Sequence, residues 1–178
     1  MKKILLLPGW MTYIKLYKKH DNFRICFGKM DKESFSADYV VGVSLGTLVV
    51  LRDIRKIKGK IILINPPLPH KSFFVWFKHW LRFVKDEGLF WERQKFTLNP
   101  VKFLTELARC IKLLNIDFSN TLDTFRDKIT VLRGKEDVFF CNDEAVRFLL
   151  SKNIKVVEYD GGHNLSKIME ETLNSLIK

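Results

Sequence analysis

A serine with a glycine two positions away on each side stands between two apolar segments of the chain. Residues 42–46 read GVSLG and fit the pattern G-x-S-x-G. The apolar segments predict a strand before the pentapeptide and a helix after it, so Ser44 is expected on a tight strand-to-helix turn that presents its hydroxyl as a nucleophile. Side chains at Gly42 and Gly46 would collide with the neighbouring strand or helix. The alternative is a serine without a role in an ordinary turn between a strand and a helix.

His163 is the candidate base for this serine, because a serine hydroxyl is a weak nucleophile at neutral pH and needs an adjacent base. Among the four histidines, His163 follows the last predicted strand and a pair of glycines. This places it at the same edge of the sheet as Ser44, on a loop that the glycines allow to bend toward the serine. His20 and His79 are expected on solvated surfaces. A loop histidine without a role is the alternative for His163.

An acidic pair follows the fifth predicted strand and can supply the carboxylate that orients a histidine base. Asp137 is the preferred residue and Glu136 the second choice, with a simple loop or capping carboxylate as the alternative for both. Ser44, Asp137 and His163 would each follow the carboxyl end of a different strand. The sequence therefore predicts a Ser-His-Asp site at one edge of the sheet.

Two backbone N–H groups are the candidate donors of an oxyanion hole. One belongs to Leu45, the residue after the serine, and the other to Trp10, in the loop after the first predicted strand. Gly9 would allow the backbone to approach the substrate. The Trp10 indole is expected either to form a wall of the pocket or to pack in the core.

A parallel sheet is needed to bring the candidate residues together at one edge. Apolar runs that alternate with helical patterns along the chain predict such a sheet. Six strands are predicted, at residues 3–7, 23–27, 38–43, 60–64, 129–133 and 155–159. Helices are predicted at residues 11–20, 45–54, 72–84, 100–114, 142–150 and 165–176. Because ligands of open α/β sheets bind at the carboxyl ends of the strands, this edge is the expected site.

The length of 178 residues predicts one domain, with a core at 1–69 and 116–178 and a helical lid inserted at 70–115. The lid is rich in aromatic residues, and its first helix places Lys78, Arg82 and Lys85 on one face. These cations, with Trp76 and Trp80, are the candidate binding groups.

Such a lid would suit an acyl chain below and an anionic carrier above, or reversible docking on an anionic membrane. A well-packed helical cap with a solvated face is the alternative. Nucleic-acid binding is disfavoured, because the chain carries no recognition motif for it.

Composition narrows the class of protein. Hydrophobic residues make up 47% of the chain and charged residues 29%, which excludes a disordered or collagen-like protein. The net charge of +11 favours anionic partners, or reflects only a lysine-rich solvated surface. Three widely spaced cysteines indicate neither a disulfide framework nor a zinc site. We therefore expect a cytoplasmic protein without a transmembrane span, a metal or a cofactor.

With these motifs the chain resembles the α/β-hydrolase superfamily over nearly its whole length. Residues 5–10 (LLLPGW) are similar to the strand and oxyanion loop of the pimeloyl-acyl carrier protein methyl ester esterases of biotin synthesis. The resemblance implies a minimal α/β-hydrolase, an oxyanion N–H from Trp10 and a lid whose cations hold an acidic carrier protein. The chain departs from the family in having Pro8 where histidine is usual, in lacking the first two strands and in a short crossover at 28–37.

Residues and resemblance together predict a serine hydrolase that cleaves carboxylic esters or thioesters through an acyl-enzyme. A pimeloyl-carrier methyl ester is the most specific substrate that the resemblance implies. The alternative is a catalytically inactive, hydrolase-like binding protein that uses the basic aromatic lid to hold an acidic protein, a lipid or a nucleic acid.

Overall fold

A computed structural model describes residues 2–9, 23–25, 30–70, 72–86, 100–163 and 166–177 of the chain. Its centre is a six-stranded sheet in which every pair of neighbouring strands is parallel. The strands are β1 (Ile4–Leu7), β2 (Phe23–Ile25), β3 (Tyr39–Val43), β4 (Lys60–Ile64), β5 (Ile129–Gly134) and β6 (Lys155–Tyr159). Their order across the sheet is β2-β1-β3-β4-β5-β6. The predicted parallel sheet flanked by helices is confirmed.

Six α-helices lie in the described part of the chain. They are α1 (Leu45–Asp53), α2 (Phe73–Asp86), α3 (Pro100–Leu114), α4 (Ser119–Phe125), α5 (Asp143–Ser151) and α6 (Lys167–Leu176). Side chains that accept a hydrogen bond from a first-turn N–H cap two of them, Asn142 at α5 and Ser166 at α6. No helix among the described residues is long and apolar enough to cross a lipid bilayer.

Each face of the sheet is buried in its own apolar cluster. The four residues of β1 are all buried, and they alternate between the faces. Leu5 and Leu7 pack with side chains of α1 to α5, whereas Ile4 and Leu6 pack in a cluster that α6 completes. Coverage of both faces explains why β1 reads as a continuous apolar run rather than an alternating one.

The structure corrects several predicted boundaries. Helix α1 ends at Asp53 and is followed by a 3₁₀ turn, Ile54–Lys56, where the prediction extended the helix to residue 54. Helix α4 was not predicted, because its seven residues are mostly polar and bury only Leu122. Between β4 and β5, the helices predicted at 72–84 and 100–114 are present as α2, at 73–86, and α3, at 100–114. The helix predicted at 11–20 lies outside the described residues.

Candidate active site

Ser44 occupies a strained turn between β3 and α1. Its φ of 49° and ψ of −123° lie in a region that residues other than glycine rarely adopt. The Ser44 N–H donates to the carbonyl of Ile64 at the end of β4, at 2.8 Å, and the Ser44 carbonyl accepts from the N–H of Thr47 at 2.9 Å. These bonds hold the turn in a conformation that the serine would not adopt alone.

The two glycines of the turn are sterically required. A Cβ at Gly42 would lie 2.7 Å from the Cα of Thr47, and one at Gly46 would lie 2.2 Å from the carbonyl oxygen of Leu7. Real Cβ contacts are longer than 3.0 Å, so a side chain at either position would push α1 away from β3 or from the end of β1. The steric prediction drawn from the G-x-S-x-G pattern is confirmed.

The structure brings Ser44, His163 and Asp137 into one hydrogen-bonded row. His163 Nε2 lies 2.9 Å from Ser44 Oγ, and His163 Nδ1 lies 2.6 Å from Asp137 Oδ2. A carboxylate only accepts hydrogen bonds, so the neutral imidazole in this position carries its proton on Nδ1 and offers Nε2 as the acceptor for the serine proton. This is the arrangement that a general base needs in order to activate a hydroxyl.

Asp137, and not Glu136, is the carboxylate of this row. Asp137 is fully buried, whereas Glu136 is exposed. Burial raises the pKa of the Asp137 carboxyl, but His163 and the backbone N–H groups of Phe140 and Cys141 outweigh that effect and hold the pKa below its ordinary value. The carboxyl group therefore stays ionised beside the imidazole at neutral pH.

Arg133 anchors the loop that carries Asp137. Its side chain is buried at the end of β5, where Nε donates to the carbonyl of Cys141 at 3.0 Å. Its two remaining nitrogens bind Glu158 of β6 at 2.7 Å and Asp143 of α5 at 2.6 Å. Sequence reasoning missed this residue. Its signal is a basic residue at the end of a mostly apolar strand, because a buried guanidinium needs hydrogen-bonding partners.

Asn65 connects β4 to the loop that carries His163. It is fully buried, with a left-handed backbone at φ 47°. Its Nδ2 donates to the hydroxyl of Tyr159 at 2.9 Å and to the carbonyl of Gly162 at 3.2 Å, while its Oδ1 accepts from the N–H of Gly134 at 2.8 Å. Sequence reasoning assigned no role to Asn65, which directly follows the strand predicted at 60–64. The sequence did contain one indication of its role. Asn65 is a polar residue directly after a buried strand, at the edge of the sheet where the candidate nucleophile lies.

The Tyr159 hydroxyl completes this network. Burial raises the pKa of Tyr159 to about 12, so the hydroxyl keeps its proton and donates to the carbonyl of Gly162 at 2.9 Å. A Cβ at Gly134 would lie 2.4 Å from the carbonyl oxygens of Gly161 and Gly162. The end of β5 thus packs directly against the backbone of Gly161 and Gly162, which precedes His163.

Aromatic rings cover the imidazole. The ring of Phe83, from α2, meets the His163 ring edge-to-face with centroids 5.1 Å apart, and the Phe140 ring lies 4.4 Å from it. Phe83 and Phe140 are both buried and contact each other at 5.6 Å. The His163 side chain is therefore buried between a ring of α2 and a ring of the loop that carries Asp137.

The chain is similar to solved structures of hydrolases over nearly its whole length. An α/β hydrolase enzyme from a Medee basin deep-sea metagenome library aligns with a TM-score of 0.64 at 14% identity, covering 99% of this chain and 88% of that one. The enol-lactonase from Burkholderia xenovorans aligns with a TM-score of 0.63 at 15% identity, covering 98% and 91%. BioG from Haemophilus influenzae aligns with a TM-score of 0.54 at 18% identity, covering 90% and 87%.

No protein-family model and no curated protein sequence matches the chain. The fold of the chain is therefore identified from its similarity to solved structures. The chain has the α/β-hydrolase fold. The resemblance drawn from the motifs is confirmed at this level, and the neighbours include BioG.

In this α/β-hydrolase fold, Leu45 is the first residue of α1 and directly follows Ser44. The N–H groups of the first helical turn have no partner within the helix, so that of Leu45 is available in principle to an oxyanion. Pro8 and Gly9 follow the end of β1, and the Pro8 carbonyl lies beside Gly46. Trp10, the second candidate donor, lies outside the described residues.

The candidate binding residues of α2 divide between its two faces. Lys78, Arg82 and Lys85 are all exposed and share the outer face. Trp76 is buried against Phe140, with ring centroids 6.1 Å apart, and Trp80 is half-buried. Trp76 therefore lines the interior rather than the outer surface that the three cations occupy.

The described side chains of the site are not arranged as metal ligands. Within the described ranges, which include Asp137 and His163, the His, Cys, Asp and Glu side chains form no group of three or more arranged to hold a metal ion. His163 and Asp137 instead use their facing atoms for one another. The chemistry available to this arrangement is nucleophilic attack by the Ser44 hydroxyl.

Proposed function

We propose that the protein is a serine hydrolase that cleaves carboxylic esters or thioesters. The observation that carries this proposal is the continuous row from Ser44 Oγ through the His163 imidazole to Asp137, with separations of 2.9 and 2.6 Å. The strained backbone of Ser44 supports it, because such strain persists where the surrounding structure imposes it for a function.

The proposed reaction begins when Ser44 Oγ bonds to the acyl carbon and its proton passes to His163 Nε2. Asp137 stabilises the imidazolium that forms and keeps its orientation. The N–H groups of Leu45 and Trp10 would hold the oxyanion of the tetrahedral intermediate. This intermediate collapses to an acyl-enzyme, and the alcohol or thiol leaves with the proton from His163.

Water then completes the proposed reaction. His163 accepts a proton from a water molecule as its oxygen attacks the acyl carbon, and returns a proton to Ser44 Oγ as the carboxylic acid departs. The overall reaction consumes one water molecule for each ester cleaved and releases one carboxylic acid and one alcohol or thiol. None of these reaction steps requires a metal ion or a cofactor.

The proposed substrates are acyl esters. The aromatic inner face of α2, with Phe73, Phe77 and Trp80 stacked at 5.5 to 5.6 Å, would suit an acyl chain. A pimeloyl-carrier methyl ester, and with it a place in biotin synthesis, is the most specific candidate that the sequence resemblance implies. In that case α2 would act as a lid, with Lys78, Arg82 and Lys85 holding the acidic carrier protein.

A matched pair of variants tests the proposed function. Hydrolysis of p-nitrophenyl esters of increasing acyl length is measured with wild type, Ser44→Ala and Ser175→Ala. Ser175 is an exposed serine of α6, so its replacement makes the same chemical change away from the site. We expect Ser44→Ala to lower kcat by at least about a thousandfold and Ser175→Ala to have no effect. Turnover that survives in Ser44→Ala contradicts the proposal.

A further inference from the structure

The outer face of α2 combines large apolar side chains with cations. Phe74 is 82% exposed, Leu81 48% and Val75 45%. The exposed side chains of Lys78, Arg82 and Lys85 share this face, because residues three, four and seven apart lie on one side of a helix. We call these six residues the outer stripe. None of them is acidic.

This composition is unusual for the solvent face of a helix. The opposite face of α2 already packs in the core through Trp76 and Phe83, so core packing does not require the outer apolar residues. A helix that only covers a protein interior normally presents polar residues outward. Single exposed apolar residues are common on protein surfaces, but three on one helical face beside three cations indicate a binding surface.

We propose that the outer stripe docks α2 on an anionic lipid bilayer. Phe74 and Leu81 would enter the boundary between headgroups and acyl chains, while the three cations would contact lipid phosphates. Charge complementarity favours this occupant, since the stripe is purely cationic and the whole chain carries a net charge of +11. A bilayer also accepts a projecting ring such as Phe74 without a preformed pocket, which a folded acidic protein would have to supply.

Docking would bring the candidate active site to the lipid surface. Phe83 lies on the same helix as the outer stripe and contacts the His163 ring. A lipophilic acyl ester could then pass from the bilayer to Ser44 with little exposure to water. This consequence rests on the proposed function, whereas the docking itself does not.

The test measures vesicle binding with the Ser44→Ala chain, so that hydrolysis plays no part. Co-sedimentation is compared for phosphatidylcholine vesicles with and without about 30 mol% phosphatidylglycerol. We expect binding to the anionic vesicles that weakens as salt is raised. Replacing Lys78 and Lys85 by glutamine should reduce it about fivefold per charge. Replacing Phe74 and Leu81 by serine should reduce it about tenfold or more, even at low salt.

Matched surface substitutions provide the controls. Leu150 of α5 is 55% exposed, and Lys155 is an exposed lysine of β6. Leu150→Ser and Lys155→Gln should leave vesicle binding within about twofold of the parent. Equal losses from these controls would mean nonspecific adsorption and would overturn the proposal. No binding to anionic vesicles, or salt-sensitive binding only to an acidic protein, would also overturn it, and neither result would affect the proposed hydrolase activity.

Discussion

Replacing Asn65 by alanine removes the side chain that ties the end of β4 to the loop of His163. Four hydrogen bonds are lost at once, to the Tyr159 hydroxyl, the carbonyls of Gly162 and His163, and the Gly134 N–H. Asn65 does not touch the reacting atoms, so it is a positioning residue. The variant should therefore change both the stability of the fold and the geometry of the base.

The expected loss of stability has two parts. The Gly134 N–H is buried and would be left without its acceptor, which costs about 1–3 kcal/mol. Alanine also tolerates the left-handed backbone at φ 47° less well than asparagine, by about 1 kcal/mol. We expect the free energy of unfolding to fall by about 3 kcal/mol in total, a large part of the roughly 5–15 kcal/mol of a typical domain.

Asn153 supplies a matched control, because it also has a left-handed backbone, at φ 55°, but is exposed. Asn153→Ala should lose only the backbone part, about 1 kcal/mol. Urea unfolding of both variants separates the two contributions. At a temperature where Asn65→Ala remains folded, its kcat for an activated ester should fall about a hundredfold with little change in KM, because the base is misplaced.

Two results would refute this reasoning. One is an unfolding free energy of Asn65→Ala equal to that of Asn153→Ala. The other is full retention of kcat in the folded Asn65→Ala variant. The first would mean that the hydrogen bonds of Asn65 contribute nothing to stability, and the second that they do not position His163.

Three further substitutions test the strain, the charge and the packing of the site. Ser44→Gly should be more stable than Ser44→Ala by about 1 kcal/mol in free energy of unfolding, because glycine adopts φ 49° without strain. Thermal unfolding of the two variants measures the difference, and an equal or lower stability of Ser44→Gly would contradict this. The folded-state pKa of Asp137 is lowered, so its ionised form stabilises the fold above the ordinary value of 3.8, and that contribution is lost as the pH falls through the lowered pKa. The stability gap between wild type and Asp137→Asn should therefore shrink as urea unfolding is repeated from pH 6 toward pH 3, and a constant gap would count against it. Gly46→Ala should destabilise the fold by about 3 kcal/mol, because its Cβ would lie 2.2 Å from the Leu7 carbonyl oxygen. Gly162→Ala is the control and should cost less than about 1 kcal/mol, because its Cβ would meet no described atom within 4 Å. Similar costs for both variants would contradict the packing argument.

The sequence predicted Ser44 because the constraint on this residue is local. The glycines two positions before and after the serine, the strand before it and the helix after it are all within about ten residues, and the steric need for Gly42 and Gly46 follows from the turn itself. His163 and Asp137 could be placed at the same edge because carboxyl ends of parallel strands meet there.

The roles of Asn65 and Arg133 could not be predicted in the same way. Asn65 contacts Tyr159 and Gly162, which are 94 and 97 residues further along the chain. Arg133 binds one acid on β6 and another on α5, and only the folded chain brings the two together. Hydrophobic periodicity gives the location of an element, whereas such pairings depend on how the strands are ordered in the sheet.

Helix α2 shows a different limit. Its periodicity predicted the helix and the shared face of Lys78, Arg82 and Lys85, which are all exposed. The same pattern did not indicate that Trp76 faces the interior while Phe74 faces solvent. Both faces of α2 carry aromatic residues, so the sequence alone does not distinguish the buried face from the exposed one.

Covalent labelling of Ser44 tests the central claim most directly. Wild type and Ser44→Ala are treated with a fluorophosphonate, and the intact mass of each chain is measured. An activated serine predicts one adduct on the wild type and none on Ser44→Ala, because only a hydroxyl hydrogen-bonded to a base such as His163 is nucleophilic at neutral pH. A wild-type chain without an adduct, or an equal adduct on Ser44→Ala, would contradict the assignment of Ser44 as the nucleophile.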